Sequence, residues 1–297
     1  MDVSIIIVSY NTKELLTKCL ESIKVSTKNL KAEIFVVDNN SWDGTVKEIK
    51  KNFPSVKLVA NKKNLGFAKA NNLAIKKAKG KYLLILNPDT ILMPDTLTKM
   101  KKFMDKNRNI AVATCRVELT NGQLDKDCRR HFPTPWRSFC HFTSLERLFP
   151  GSQVFDQYYM GYLPQTKTHD IDACVGAFMM VRSSSIKKVG LFDEDFFFYG
   201  EDLDWCWRFK EKGYKIVYTP ITKIIHYKGV SSGIQKQSAH LSKASVDSKK
   251  KALQESTRAM ELFYKKNFME RYPFFITWLT ILAIKSLHLI RQIRLSK

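Results

Sequence analysis

Two acidic patches stand out in a chain that is otherwise strongly basic. Leu86-Asn87-Pro88-Asp89-Thr90 closes an apolar run and leaves a carboxylate at its end. Far downstream, Tyr199-Gly200-Glu201-Asp202-Leu203-Asp204 packs three acids into four positions beside aromatic residues. Burial and mutual repulsion are the conditions that displace carboxyl pKa values into a catalytic range. Around these patches the chain carries 50 Lys+Arg against 28 Asp+Glu, a formal charge of +22. A basic protein that concentrates acids in two places is equipped to hold a cation and to move a proton there. The two patches together read as an enzyme acting on a metal-bound, phosphate-bearing substrate.

The elements that must position these acids are legible upstream of the first patch. Residues 3–10 form a continuous β-branched apolar run, the pattern of a strand buried on both faces. Residues 12–24 then place Leu15, Leu16, Cys19, Leu20 and Ile23 on one helical face. Strands over 33–38, 56–60 and 82–86 alternate with helices over 45–53 and 66–78, separated by turn-rich segments such as Asn39-Asn40-Ser41-Trp42-Asp43-Gly44. This rhythm predicts an α/β fold, a three-layer, mostly parallel sheet. Ligands of such sheets lie beyond the carboxyl ends of the strands, where Ser9, Tyr10, Asn11, Asp38, Asn40 and Asp89 all fall. Each alone could be a turn residue or helix cap; their convergence on one rim favours a site.

Residues 111–169 have weak periodicity and many aromatic and proline residues, which predicts long loops over the site. Beyond them, 173–181 is apolar, 183–189 and 204–212 read as short helices, and 216–218 and 223–225 as edge strands. The character changes after Ser232: a long basic helix over 243–268, a break at Tyr272-Pro273, and a helix over 274–294 that is hydrophobic almost all round. This predicts a catalytic domain over 1–232, with halves 1–90 and 91–232, and a helical extension over 233–297. Within 273–290 the only charge is Lys285, and basic residues flank it on both sides. A spanning helix needs about 20 apolar residues, so an interfacial helix on an anionic leaflet, spanning, or docking onto the domain or a second subunit are all open. The six cysteines form no CxxC pair, and the spacing of Cys128, His131, Cys140 and His141 fits no zinc finger, so reduced thiols in a cytosolic protein are expected. Met1-Asp2 runs directly into the first strand without a basic leader, which argues against a signal peptide.

With these residues in hand, the chain resembles the inverting glycosyltransferases of GT-A fold, family 2, and within them the rhamnosyltransferase-like branch that builds bacterial cell-surface glycans. The resemblance is carried by Ser4 to Asn11, by Val37-Asp38-Asn39-Asn40-Ser41 with Gly44-Thr45, and by Asn64-Leu65-Gly66-Phe67-Ala68 with Asn71-Asn72. It continues through Leu86-Asn87-Pro88-Asp89, Val175-Gly176-Ala177-Phe178, Phe192-Asp193-Glu194, Glu201-Asp202, Trp207-Arg208 and Ile225-His226-Tyr227-Lys228-Gly229. The resemblance implies that Ser9, Tyr10, Asn11, Asp38, Asn40, Asn64, Gly66, Asn71 and Asp89 hold a nucleotide-diphosphate sugar. It implies that Asp89, the last acid of a DxD-type signature in which Asn87 replaces the first, binds Mg²⁺ or Mn²⁺ together with His226. Asp202 would be the base that takes the proton from the attacking hydroxyl, its pKa raised by Glu201. Glu201, Trp205 and Arg208 would support the acceptor side, with Asp204 paired to Arg208 four residues on. Gly229 and Ser231-Ser232 would form a loop closing over phosphate.

The implied partners are a dTDP- or UDP-sugar, dTDP-rhamnose first, and a glycan or polyprenyl-diphosphate-linked acceptor at the cytoplasmic face of the membrane, with a homo-oligomer open. Two other classes compete. A nucleic-acid-binding protein would interleave its basic residues with exposed aromatics along a face, whereas here the basic residues are dispersed. A nicotinamide-dependent oxidoreductase would carry GxGxxG after the first strand, where this chain has Ser9-Tyr10-Asn11-Thr12. An inactive scaffold of the same fold is separable only by assay.

Overall fold

The computed structural model describes residues 1–229 and 246–296. Its first half is a parallel sheet. Strands β1 (Val3–Ser9), β2 (Ala32–Asp38), β3 (Lys57–Ala60) and β4 (Tyr82–Leu86) run parallel in the order β3-β2-β1-β4. Every residue of β1 and β4 is buried, which is why both read as unbroken apolar runs rather than alternating ones. Helix α1 (Lys13–Ser26) buries Leu15, Leu16, Cys19, Leu20 and Ile23, and α2 (Thr45–Asn52) and α3 (Phe67–Ile75) return the chain between strands.

Beyond β4 the sheet extends to nine strands and changes direction. The order is β3-β2-β1-β4-β8-β6-β9-β5, with β7 (His169–Asp170) beside β9. Strand β8 (Phe178–Arg182) is antiparallel to both β4 and β6 (Ile110–Leu119), and β5 (Thr90–Leu92) is antiparallel to β9 (Lys215–His226). Helices α4 (Thr96–Lys106) and α7 (Ser183–Val189) complete this half.

Three expectations are corrected here. Residues 111–119, expected in a loop, belong to the ten-residue strand β6, because its apolar positions are buried between β8 and β9. The two edge strands expected over 216–218 and 223–225 are one twelve-residue strand, β9, inside the sheet. Pro220 misleads because it cannot donate to a ladder; β9 absorbs it in a bulge, pairing Thr219 with Cys115 and Lys223 with Arg116 so that residues 220–222 skip the register. Helix α8 (Glu201–Glu211) begins at Glu201 rather than 204, so all three acids of the second patch lie in its first turn. There they are favoured by the helix dipole.

The rest of the middle segment holds two short helices, α5 (Pro135–Phe142) and α6 (Leu145–Leu148). Helix α9 (Val246–Asn267) packs on α8 and contributes Phe263 and Tyr264 to the central core, and Phe268 joins them. A 3-10 turn, Met269–Arg271, leads to α10 (Phe274–Ser296), which lies on α9. The expected loop residues Ser231-Ser232, the boundary at 232–233 and the first residues of the basic helix lie outside the described residues. All six cysteines are unpaired and buried.

Candidate active site

The register of the first four strands builds a rim. Ser9 pairs with Asp38 across β1 and β2, and Ile7 with Leu86 across β1 and β4, so the loops leaving β1, β2 and β4 emerge side by side. Most of the rim residues expected in a nucleotide pocket shape these loops. Ser9 Oγ lies 3.0 Å from Thr12 Oγ1. Asn11, at φ 52°, accepts from Trp42 N through Oδ1 at 2.9 Å, while its own N–H donates to Ser41 Oγ at 2.9 Å. Asn40 takes φ 68° in the same turn and is exposed. Asn64 Oδ1 accepts from Gly66 N at 2.9 Å. Tyr10 is half-buried at the end of β1.

Gly66 is needed for a reason other than phosphate approach. At φ +81°, a Cβ there would lie 2.4 Å from the carbonyl oxygen of Phe197, which accepts from Phe67 N at 2.8 Å. This contact ties the donor-side loop to the segment that leads into α8. Two rim side chains keep a buried oxygen without a partner: Asp38 Oδ1, whose other oxygen accepts from Ser41 N at 2.9 Å, and Asn71 Oδ1. Buried polar atoms are mostly paired, so these two, together with Asp89 Oδ1, are the atoms here that call for a ligand.

The two acidic patches are joined by a line of alternating charges. Asp89 sits just before β5, and pairing of Thr90 with His226 puts His226 Nε2 3.3 Å from Asp89 Oδ1. That oxygen is buried and has no hydrogen-bond partner, since the approach has ion-pair distance without hydrogen-bond alignment. His226 Nδ1 meets Asp125 Oδ2 at 2.9 Å, and Lys228 Nζ meets Asp125 Oδ1 at 2.6 Å and also binds Asp127. Asp127 Oδ1 is 3.3 Å from Arg130 Nη1, and Arg130 Nη2 donates to Asp202 Oδ2 at 3.0 Å. Asp89, His226, Asp125, Lys228, Asp127, Arg130 and Asp202 therefore form one chain, acid and base in turn.

Each pKa follows from this alternation. Burial opposes the charged form of His226, but Asp89 and Asp125 on either side raise its pKa to about 9. Burial would raise Asp125, yet the hydrogen bond from His226 and the charge of Lys228 hold it well below the usual carboxylate range. Arg130 is pushed upward by Asp202 against the cost of its own burial. Asp202 remains above the ordinary carboxylate value, because burial outweighs the relief from Arg130. The expected cause, repulsion from Glu201, is corrected: burial dominates at Asp202. The repulsion is felt at Glu201, which burial and then Asp202 drive up to about 8. Glu201 Oε2 is buried and unpaired.

Behind this face the supporting residues point inward. Trp205 is fully buried, donates to Gly190 O at 2.9 Å and packs on Phe192 and Phe209, so it stiffens α8 and does not line a sugar site. Arg208 Nε donates to Asp204 Oδ2 at 2.8 Å, the pairing expected four residues apart, and Nη1 donates to Val189 O at 3.0 Å. Both hold the helix that carries Asp202.

A divalent cation fits Asp89 and His226 as far as donor chemistry goes. The orphaned oxygen of Asp89 faces a ring nitrogen whose opposite nitrogen is already anchored on Asp125, the usual support for a metal-binding histidine. Among the described residues no group of three or more His, Cys, Asp and Glu gathers around a possible ion position. The remaining ligands of a hard cation would therefore be phosphate and water oxygens.

Asp125, Asp127, Arg130 and Lys228 were not anticipated from sequence. The hairpin after β6 brings Asp125 N to Val117 O, and β6 pairs Leu119 with His226, which closes the contact across 101 residues. A trace was present in the dense charge of Asp125-Lys126-Asp127-Cys128-Arg129-Arg130.

Comparison with known proteins gives the family and the fold. The model of the family described as glycosyl transferase family 2 matches residues 4–190. Rhamnosyltransferase WbbL of Escherichia coli (strain K12) is 27% identical over 234 residues, covering 76% of this chain and 83% of WbbL. The N-acetylglucosaminyl-diphospho-decaprenol L-rhamnosyltransferase of Mycobacterium tuberculosis is 24% identical over 240 residues, 77% of each chain. Among solved structures, S. aureus TarS 1-349 in complex with UDP superposes with a TM-score of 0.51 at 16% identity, over 89% of this chain and 70% of that one. GalNAc-T7 with UDP, GalNAc and Mn²⁺ gives 0.58 at 17%, over 97% of this chain and 54% of that one. At such identities the structural likeness is one of fold.

Proposed function

The chain belongs to glycosyl transferase family 2, and from that premise we propose that it is an inverting, divalent-metal-dependent rhamnosyltransferase. It would take rhamnose from a dTDP- or UDP-sugar and place it on a hydroxyl of a polyprenyl-diphosphate-linked glycan. The observation that carries this reading is the charge chain from Asp89 to Asp202. It supports a common cleft in which a leaving diphosphate and an attacking hydroxyl are served by two acids of distinct environment.

In this reading Asp38 and Asn71 use their unpaired oxygens on the nucleoside, and Asp89 with His226 receives Mg²⁺ or Mn²⁺. The bound ion would supply positive charge to the leaving diphosphate. The acceptor oxygen attacks the anomeric carbon as the bond to the diphosphate breaks on the opposite face. The nucleoside diphosphate leaves with the electron pair, and Asp202 accepts the hydroxyl proton. A raised pKa makes Asp202 a stronger base than an exposed aspartate, and Arg130 keeps it ionised.

The acceptor class is supported by the lipid-linked substrate named for the mycobacterial relative. It is also supported by Phe274–Gln292, a 19-residue stretch of mean hydropathy 1.4, long and apolar enough to cross a membrane by length and composition. We place the protein at the cytoplasmic face of the membrane, with α10 in contact with lipid.

The test is transfer of labelled rhamnose from dTDP-rhamnose to N-acetylglucosaminyl-diphosphate lipid in the presence of Mg²⁺. Asp202→Asn should lower turnover by about a hundred- to ten-thousand-fold while thermal stabilisation by dTDP persists. Equal loss of both would remove Asp202 from the role of base. EDTA should stop transfer; full activity in its presence would rule out the metal.

A further inference from the structure

Among the described residues, exposed apolar side chains are concentrated in two stretches. Outside α10 and the turn before it, the largest group lies on and after α5 and α6: Trp136, Phe139, Phe142, Leu148, Phe149 and Val154, each about half exposed or more. Trp136, Phe139 and Phe142 are three residues apart, so they share one face of α5, while Cys140, at the flank of that face, is buried. The knob is ordered from within. Trp136 Nε1 donates to Val154 O at 3.0 Å, the Trp136 ring stacks on Phe139 at 5.8 Å, and Phe149 stacks on Phe155 at 4.8 Å. Built aromatic surface left in solvent marks a contact site.

A line of rings connects the foot of this knob to the start of α10. Phe132 meets Trp207 at 4.8 Å, Trp207 meets Phe268 at 5.0 Å, and Phe268 meets Tyr272 at 5.9 Å, ending two residues before α10. The Tyr272 hydroxyl also feels the charge of Arg137, on α5. Past the junction, α10 exposes Phe274, Phe275, Trp278, Leu279, Leu282 and Leu289.

We propose that the α5–α6 knob is a second membrane-contacting element, seated with α10 on an anionic lipid surface. This deepens the reading of the enzyme as one that acts on a lipid-linked acceptor, and rests on it. Charge selects lipid over a second copy of the chain. Between residues 133 and 156 the acids are Glu146, buried and 3.0 Å from His141 Nδ1, and Asp156, whose Oδ2 accepts from Gly151 N at 3.0 Å, whereas Arg147 is exposed. Residues 274–297 contain no acid. A twofold interface through this face would oppose like charges; an anionic leaflet neutralises them while Trp and Phe enter the headgroup boundary. The knob also starts close to the chemistry, since α5 opens five residues after Arg130, the residue that holds Asp202. Two grips on the bilayer would fix the height of Asp202 above it, as a lipid-borne hydroxyl requires.

The experiment is co-sedimentation of the full chain with phosphatidylcholine vesicles with and without phosphatidylglycerol. Trp136→Ser/Phe139→Ser and, separately, Phe149→Ser remove apolar surface without adding charge. A Leu279→Ser/Leu282→Ser variant tests α10, and thermal unfolding confirms that each variant folds. The proposal expects phosphatidylglycerol-dependent binding that falls about tenfold or more in the Trp136/Phe139 variant, and tryptophan quenching by brominated lipid that Trp136→Phe reduces, the remainder coming from Trp278 on α10. Loss on changing the knob but not α10 upholds the knob and removes α10 from the membrane reading. Unchanged partition in both knob variants overturns the proposal. So does a wild-type dimer that Trp136→Ser dissociates with vesicle binding intact, which would make the face a self-interface. Rhamnosyl transfer to a water-soluble acceptor analogue reports the catalytic reading separately.

Discussion

The rim at the ends of β1 and β2 and the cluster around Asp202 solve the same problem, ordering polar groups at the edge of a core, by opposite means. The rim is held by neutral or local bonds: Ser41 to Asn11, Asn64 to Gly66, Asn39 Nδ2 to Gly66 O at 3.0 Å. The cluster is held by long-range charge pairs, Arg130 to Asp202 across 72 residues and His226 to Asp125 across 101. Neutral turn bonds are modest individually and indifferent to pH. Buried charge pairs are balanced sums of large terms, so losing one member leaves the others desolvated and uncompensated. The cluster is therefore the part of the molecule where the proposed chemistry and stability are bound together.

The largest break should come from Arg130. Arg130→Met leaves Asp202 without its cation, while Asp127 keeps Lys228, and should destabilise the fold by about 3–5 kcal/mol, read as a shifted urea midpoint. Its counterpart on the rim, Ser41→Ala, removes only the acceptor for Asn11 N and should cost about 1 kcal/mol. Similar costs for both would mean that Arg130 reaches solvent and that the cluster is no tighter than the rim.

His226 is where the two regions meet, which gives the next test. With its pKa raised to about 9, it is protonated at neutral pH and must lose that proton before ligating a metal. If it is a ligand, Mg²⁺-dependent binding of dTDP should strengthen by up to about tenfold per pH unit between pH 7 and 9. In His226→Gln titration calorimetry should give a flat profile. A pH-independent Mg²⁺ requirement in the native protein would leave Asp89 as ligand without His226.

The same contrast explains what could be read before the coordinates. The parallel half was legible because strands buried on both faces advertise themselves as apolar runs, as β1 and β4 do. Asp89, Asp202 and His226 could be singled out as candidates because each sits in a compact motif. Asp125, Asp127, Arg130 and Lys228 could not, since their meaning depends on the register between β6 and β9, and Pro220 disguised β9 as two fragments. The cause of the raised pKa at Asp202 is hidden from the sequence for a related reason. Adjacent acids in a sequence suggest repulsion, while burial, the stronger effect here, is set by packing from elsewhere in the chain.

The smallest effect concerns Glu201, and its sign follows from linkage. Folding raises its pKa from 4.5 to about 8, so the folded state holds this proton more tightly than the unfolded chain does. The associated stability is fully present below pH 4.5 and is lost as pH rises through about 8. Glutamine mimics the neutral carboxyl in shape and carries no charge to bury. Glu201→Gln should then unfold at nearly the native temperature at pH 4 and a few degrees above it at pH 9, as seen by differential scanning calorimetry. No rim residue should behave this way: Asn64→Ala should lower the unfolding temperature by the same small amount at both pH values. A Glu201→Gln protein less stable than the native one at pH 9 would mean that the buried carboxylate has a cationic partner at high pH and that the first turn of α8 opens to admit it.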